Sequence, residues 1–226
     1  MLAVIQARMS SNRLPGKVLM PIFGEPMLQR VISRVALAKG VGRIIVATSS
    51  NQEDAAIYDY CVANGIECFR GPLENVADRF ARIMLKTGDS AVIRICGDSP
   101  LIDPSLISQA ISYFNRGDYD LVTNIFPRTF PKGQSVEIIK SNTFLKAINK
   151  NIFSNTDLEH VTTHFYLNQN KYNIHNFFNK IYDQDFSLIQ QSVDTHDDFK
   201  EVERIISAFK GLTPDWLSIV KFSNSI

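Results

Sequence analysis

The chain has 226 residues and a mass of 25.5 kDa; it is 45% apolar, 21% charged and 10% aromatic, which is ordinary globular usage and excludes a disordered, collagen-like or disulfide-dense protein. Its 24 lysines and arginines against 23 aspartates and glutamates leave a net charge of +1, so a nucleic-acid or membrane-surface binder is not expected and any anion site must be local. Cys61, Cys68 and Cys96 have no C-x-x-C spacing and no nearby histidine, which points to reduced thiols. Arg8 follows six mostly apolar residues, too early for a secretory signal, and no apolar run approaches the roughly 18 residues of a membrane span, so a cytoplasmic protein with no membrane insertion is expected.

The first half of the chain alternates. Leu2–Ala7 is predicted as a buried strand, Met27–Ala38 as a helix with apolar residues at 27, 28, 31, 32, 35 and 36, and Arg43–Thr48 as a second strand. A helix over Asp54–Ala63, a strand over Glu67–Arg70, a helix over Val76–Leu85, the strand Ala91–Cys96, the helix Pro104–Phe114 and a strand over Tyr119–Asn124 follow. Short strands separated by longer helices predict right-handed crossovers and a mostly parallel sheet covered on both faces. After Asn124 the rhythm changes. Ile125–Gly133, with two prolines and a glycine, reads as a loop; strands are predicted at Ser135–Lys140, Asn173–Phe178 and Gln190–Val193, and helices at Thr143–Asn149, Leu158–Leu167 and Asp197–Phe209. The whole is expected to be one α/β domain over 1–226, in which 125–226 folds back over the sheet as the substrate-side portion and a candidate dimerisation surface.

Three strand ends carry chemistry-bearing residues. The stretch from Ala7 to Lys17 presents Arg8, Arg13, Lys17, the hydroxyls of Ser10 and Ser11, and Gly16, directly after the first strand. Ligands of open parallel sheets bind outside the carboxyl ends of strands, and guanidinium forks with an ammonium and loop amides suit a polyphosphate. The alternative is a basic, solvated loop; neither the ATPase P-loop spacing nor a G-x-G-x-x-G fingerprint is present. Gly97-Asp98 follows the Ala91–Cys96 strand, and Asp98 is placed to hold a hard divalent cation, whereas Asp103 before Pro104 is expected to cap a helix. Val193-Asp194-Thr195 precedes the late helix; Thr195 or Asp197 can cap it, and Asp194 is either a further cap or a second metal ligand. The stretch from Gly71 to Arg79 offers Asp78 and Arg79 as polar readers of a base, with a dipole-favoured first-turn carboxylate as the alternative for Asp78.

In combination, IQAR-x-x-S-x-RLPGK (Ile5–Lys17), GEPML, RIIVATS, GDSPLIDP and VDTHDD resemble the cytidylyltransferases that make CMP-activated acidic sugars, the 3-deoxy-manno-octulosonate and acylneuraminate enzymes. FRGPLENVADRF and EHVTTHFY point within them to the spore-coat polysaccharide biosynthesis protein F branch, over about residues 3–205. The resemblance implies a three-layer nucleotide-diphospho-sugar transferase (GT-A-like) fold, a homodimer, and transfer of CMP from CTP to an acidic or phosphorylated sugar with magnesium and release of pyrophosphate. It implies that Arg8, Lys17 and, with them, Arg13 hold the triphosphate, that Ala7, Ser10 and Gly97 border the nucleotide, that Asp98 and Asp194 hold magnesium, and that Gly71, Asp78 and Arg79 border the cytosine. Glu137 and His160 are candidates on the sugar side; a solvated strand carboxylate and a satisfied structural histidine are their respective alternatives. A GT-A glycosyltransferase would share the fold, but Asp98-Ser99-Pro100 replaces its D-x-D motif. A third class is a nucleotide-binding domain without catalysis, and other nucleoside triphosphates remain open. The apolar stretch around Trp216 is read either as an interface or as a helix closing the core.

Overall fold

Hydrophobic alternation decides the architecture. In the computed structural model, which describes residues 1–150, 152–179, 184–212 and 214–224, strand β1 (Leu2–Gln6) buries Leu2 and Val4 in one apolar core and Ala3 and Ile5 in another. Successive side chains of a strand point to opposite faces, so an unbroken apolar run is what a doubly covered strand requires.

A two-residue hairpin, β2 (Pro21–Ile22) with β3 (Glu25–Pro26), leads into α1 (Met27–Ala36). Then come β4 (Arg43–Ser49), α2 (Ala55–Ala63), β5 (Glu67–Gly71), α3 (Val76–Thr87), β6 (Ala91–Cys96) and α4 (Pro104–Phe114). The second half contributes β7 (Leu121–Thr123), β8 (Glu137–Lys140), α5 (Ser141–Asn149), α6 (Asn155–His160), α7 (Thr163–Leu167), β9 (Ile174–Asn176), α8 (His196–Ala208) and α9 (Trp216–Asn224). Among the described residues the main sheet has seven strands in the order β5-β4-β1-β6-β8-β7-β9. β5, β4, β1 and β6 are parallel neighbours, β8 runs antiparallel to both β6 and β7, and β9 is parallel to β7. One face is packed by α1, α4, α8 and α9 through Val31, Ile107, Ile205 and Ile219; the other is packed by α3, α5 and α7 through Phe80, Phe144 and Phe165. Each such side chain contributes roughly 1.5–3 kcal/mol by leaving water.

The expected three-layer, mostly parallel α/β fold is present, with three local corrections and one open alternative decided. The single helix predicted over Leu158–Leu167 is two short helices, broken at Val161, whose φ is 61° and ψ −55°. Thr162 N donates to His160 O at 2.6 Å, closing a three-residue turn of the rare positive-φ kind; the buried Val161 side chain holds a conformation that costs on the order of 1–3 kcal/mol. The strand predicted over Gln190–Val193 contributes only an isolated bridge, Lys132 to Gln190. The strands predicted over Tyr119–Asn124, Ser135–Lys140 and Asn173–Phe178 are shorter at both or one end. The stretch around Trp216 closes the core: Trp216, Ile219 and Val220 are buried within the chain itself and do not form a free interface.

Segment 190–193 is held by the loop opposite it. Gly133 has φ +95°, and a Cβ there would come within 2.6 Å of the backbone of Gln191 and Ser192. Gly133→Ala is therefore expected to cost at least about 2 kcal/mol, the sum of a left-handed alanine and a backbone clash, in urea denaturation. A change within about 0.5 kcal/mol of wild type would contradict this packing.

Candidate active site

β1 and β6 are adjacent, but the connections leaving them build opposite halves of the sheet, and the crevice outside such a switch point is where ligands of open α/β sheets bind. The ladder continues one step past β6, with Gly97 N donating to Gln6 O at 2.8 Å. A Cβ at Gly97 would lie 2.9 Å from Gln6 O and 3.1 Å from Ala7 Cβ, so only glycine lets the two loops part this closely.

The loop after β1 is fixed from below by Asp54. Its carboxylate accepts from Met9 N at 2.6 Å and from Ser49 N at 3.2 Å, joining the loop to the end of β4. Gly16 N donates to Met9 O at 2.9 Å, and Gly16 takes φ 72°, which turns the chain into the short helical turn Lys17–Leu19. The Lys17 side chain is thereby aimed inward, 9% exposed. A third loop arrives through Val193 N, which donates to Asp98 O at 2.9 Å and brings Asp194 beside Asp98.

These loops enclose a cavity of about 300 Å³ whose lining includes Arg8, Arg13, Lys17, Arg79, Arg94 and Asp98, with Ala7, Gly97, Glu159, His160 and Asp194 completing much of the wall. Three of its cations rest on carboxylates. Lys17 Nζ is 3.2 Å from Asp98 Oδ2 and 3.2 Å from Asp194 Oδ1, and donates to Val193 O at 2.5 Å. Arg13 Nη2 is 3.0 Å from Asp194 Oδ1, and Arg8 Nη2 is 4.0 Å from Glu159 Oε1. Arg79 is the exception. It is 2% exposed, and among the described residues its guanidinium makes no hydrogen bond, with Nε and Nη1 shut off from solvent. Burial lowers its pKa from the usual arginine value; Asp54 opposes that shift and Arg8 adds to it. A buried charge with no partner is costly unless a ligand completes it.

The floor of the cavity is polar where the sheet would otherwise be apolar. Arg94, in the middle of β6, donates from Nε to Gln6 Oε1 at 3.0 Å and pairs through Nη1 with Glu137 on β8. The other Glu137 oxygen accepts from the Tyr166 hydroxyl, which is also 3.0 Å from Thr123 Oγ1. Cys96 lines the same floor, and burial pushes its thiol up to about 11, so it stays protonated at neutral pH.

Of the residues singled out in the sequence, Ala7, Arg8, Arg13, Lys17, Arg79, Gly97, Asp98, His160 and Asp194 line this one cavity. His160 is exposed there, not a satisfied core histidine. Ser10, Gly71, Asp78 and Glu137 are not among its lining residues. Gly71 instead makes room for the Arg79 stem, since a Cβ there would meet Arg79 Cγ at 2.7 Å. Asp78 pairs with Arg82 at 2.7 Å in the first turns of α3, the alternative anticipated for it. Glu137 is buried and ion-paired, which corrects the expectation of a solvated strand carboxylate. Thr195 caps α8 in a reciprocal box with Asp198, which leaves the Asp194 carboxylate free for the cavity, and Asp103 caps α4 by accepting from Ser105 N at 2.8 Å. Asp54, Arg94, Gln6 and Glu159 were not anticipated. A charge inside the apolar run AVIRIC was the available signal for Arg94; nothing local marks Asp54, whose partners lie 45 and 5 residues away.

A family model described as cytidylyltransferase matches residues 2–215. The chain is 34% identical over 167 residues to the spore coat polysaccharide biosynthesis protein SpsF of Bacillus subtilis, covering 71% of this chain and 68% of that protein. It is 41% identical over 125 residues to the 8-amino-3,8-dideoxy-manno-octulosonate cytidylyltransferase of Shewanella baltica, 53% of this chain and 50% of that one. A solved cytidylyltransferase from Leptospira borgpetersenii superposes with a TM-score of 0.89 at 25% identity, covering 99% of this chain and 93% of the other. Among the described residues no helix is long and apolar enough to cross a membrane.

Because Arg79 is buried without a partner, Arg79→Met, which keeps the stem and removes the charge, should raise stability in urea by about 1–2 kcal/mol when no nucleotide is present. A loss of stability would mean that the guanidinium is already satisfied.

Proposed function

The chain belongs to the cytidylyltransferase family, and from that membership we propose that it transfers CMP from CTP to a hydroxyl of an acidic sugar, releasing pyrophosphate. The observation that carries this reading is the unpartnered, buried Arg79 guanidinium in a cavity where Arg8 and Arg13 rest on exchangeable carboxylates. That is a site arranged to gain a polyanion. The Shewanella relative's name specifies a 3-deoxy sugar acid, and the Bacillus relative's name specifies polysaccharide biosynthesis, which supports a sugar acid as acceptor and an extracellular polysaccharide as its destination.

In this reading Arg8, Arg13 and Lys17 bind the triphosphate. Guanidinium forks grip nonbridging oxygens bidentately, and the Lys17 ammonium acts as a point charge close to the leaving pyrophosphate. Arg79, with Val76 beside it, reads the acceptor edge of the cytosine. Asp98 and Asp194 hold magnesium. Two partly exposed carboxylates converge on one point, Lys17 Nζ, and no cluster of three metal-ligating side chains exists among the described residues. That donor set fits a cation that takes one or two carboxylates and completes its shell with phosphate oxygens and water. When bound, magnesium supplies positive charge at the phosphate oxygens where negative charge develops.

The protein's own share of catalysis is orientation and charge neutralisation. The acceptor hydroxyl attacks the α-phosphorus in line and gives its proton to solvent, the bond from the α-phosphorus to the oxygen bridging to the β-phosphate breaks, and pyrophosphate leaves against Lys17 and Arg8. Removing a charged contact that strengthens in the transition state commonly costs about 10²–10³ in rate. Lys17→Ala and Asp98→Asn are each expected to lose at least about 100-fold in pyrophosphate release from CTP across a panel of sugar acids, with circular dichroism showing a retained fold. Near-normal turnover of either folded variant would overturn the role given to that residue.

A further inference from the structure

We propose that Arg94 seats the carboxylate of the acceptor sugar and that Glu137 positions it to do so. This deepens the reading above and rests on it. Arg94 lines the cavity, yet it belongs to a different part of the wall from the phosphate-binding cations. Those come from the loop after β1, whereas Arg94 is tied to β8 through Glu137 and to the start of α7 through Thr162 Oγ1, 3.5 Å from Nη1. It therefore lies where the β1 and β6 strands meet the C-terminal half of the fold.

Its donors are divided. Nε is committed to Gln6 and Nη1 to Glu137, while Nη2 makes no hydrogen bond among the described residues. Both oxygens of Glu137 are also committed, one to Arg94 and one to Tyr166, and the Phe126 ring stacks on Tyr166 at 4.7 Å. The fork can neither rotate away nor lose its charge. Glu137 acts on a ligand only through Arg94, as a positioning residue.

The charge balance sets the class of ligand. Arg128, which is not among the residues lining the cavity, shares the field of Glu137 with Arg94. Arg128 is half-buried and donates only to neutral acceptors, Pro131 O at 3.4 Å and Ser135 Oγ at 3.0 Å. Among the described residues no carboxylate lies within ion-pair distance of it. Burial, then Glu137, holds the Tyr166 phenol well above its usual range, so Tyr166 is neutral. The cluster keeps one net positive charge. A neutral sugar would leave that charge uncompensated in a half-buried site, a phosphate dianion would exceed it, and one carboxylate matches it.

The test titrates 3-deoxy-manno-octulosonate, and separately its neutral methyl ester, into the full chain saturated with magnesium and a CTP analogue whose α,β-bridging oxygen is replaced by methylene, so that no turnover occurs. Wild type should bind the acid at least about tenfold more tightly than the ester, the difference a charge-assisted hydrogen bond gives. The double variant Arg94→Gln with Glu137→Gln removes both members of the buried ion pair and should lose that preference; Arg94→Lys, for the case in which the double variant does not fold, should keep only part of it. CTP affinity is measured first on each protein. If wild type does not bind CTP, the nucleotidyltransferase reading fails and this proposal with it. If CTP binds but acid and ester do not differ, or the folded double variant keeps the preference, this proposal alone is overturned.

Discussion

Lys17 Nζ lies 2.5 Å from Val193 O and 3.2 Å from a carboxylate oxygen of both Asp98 and Asp194. One nearly buried ammonium thus gathers a loop near the N-terminus, a strand end from the middle of the chain and a segment 176 residues away. Asp98, Val193 and Asp194 lie outside regular structure at the meeting point, and Lys17 opens a single helical turn. Without the ammonium, two carboxylates would face each other with only the half-exposed Arg13 to offset them. The geometry of the cavity follows from this contact and from the backbone bond of Val193 to Asp98 that keeps it in register.

The same contact bears on the proposed binding of a polyanion. Arg13 and Arg8 are satisfied by Asp194 and Glu159, and ion pairs this exposed are worth little, so exchanging their carboxylates for a phosphate costs little. Arg79 has no such substitute. It is held by a glycine that clears its stem and by the field of Asp54, and it accounts for binding energy that is not already spent inside the protein.

Much of this was legible in the sequence. The strands Leu2–Gln6 and Ala91–Cys96 and the helix Pro104–Phe114 follow directly from apolar runs and a proline-marked helix start, and the strand-end rule then locates Arg8, Lys17 and Asp98 without any contact information. The misses share a cause. The break at Val161 puts a β-branched residue at positive φ, which local propensity disfavours and tertiary packing alone enforces. Glu137 looked solvated because its partners, Arg94 and Tyr166, lie 43 and 29 residues away. Asp54 looked like a helix start, yet its side chain caps nothing in its own helix and reaches back to the loop after β1. Strand 190–193 failed because Gly133 and Gln134 hold that segment as a loop, with Gln134 donating to Gln191 Oε1 at 2.8 Å.

The central claim is that residues 8, 17, 79 and 98, drawn from the loop after β1, from α3 and from the loop after β6, face one nucleotide. A crystal structure with CTP and magnesium tests it most directly. The account predicts triphosphate oxygens within about 3 Å of Arg8 and Lys17, the cytosine against Arg79, and Arg8 released from Glu159. Nucleotide density elsewhere on the molecule, or an Arg79 guanidinium still without a partner when CTP is bound, would contradict it.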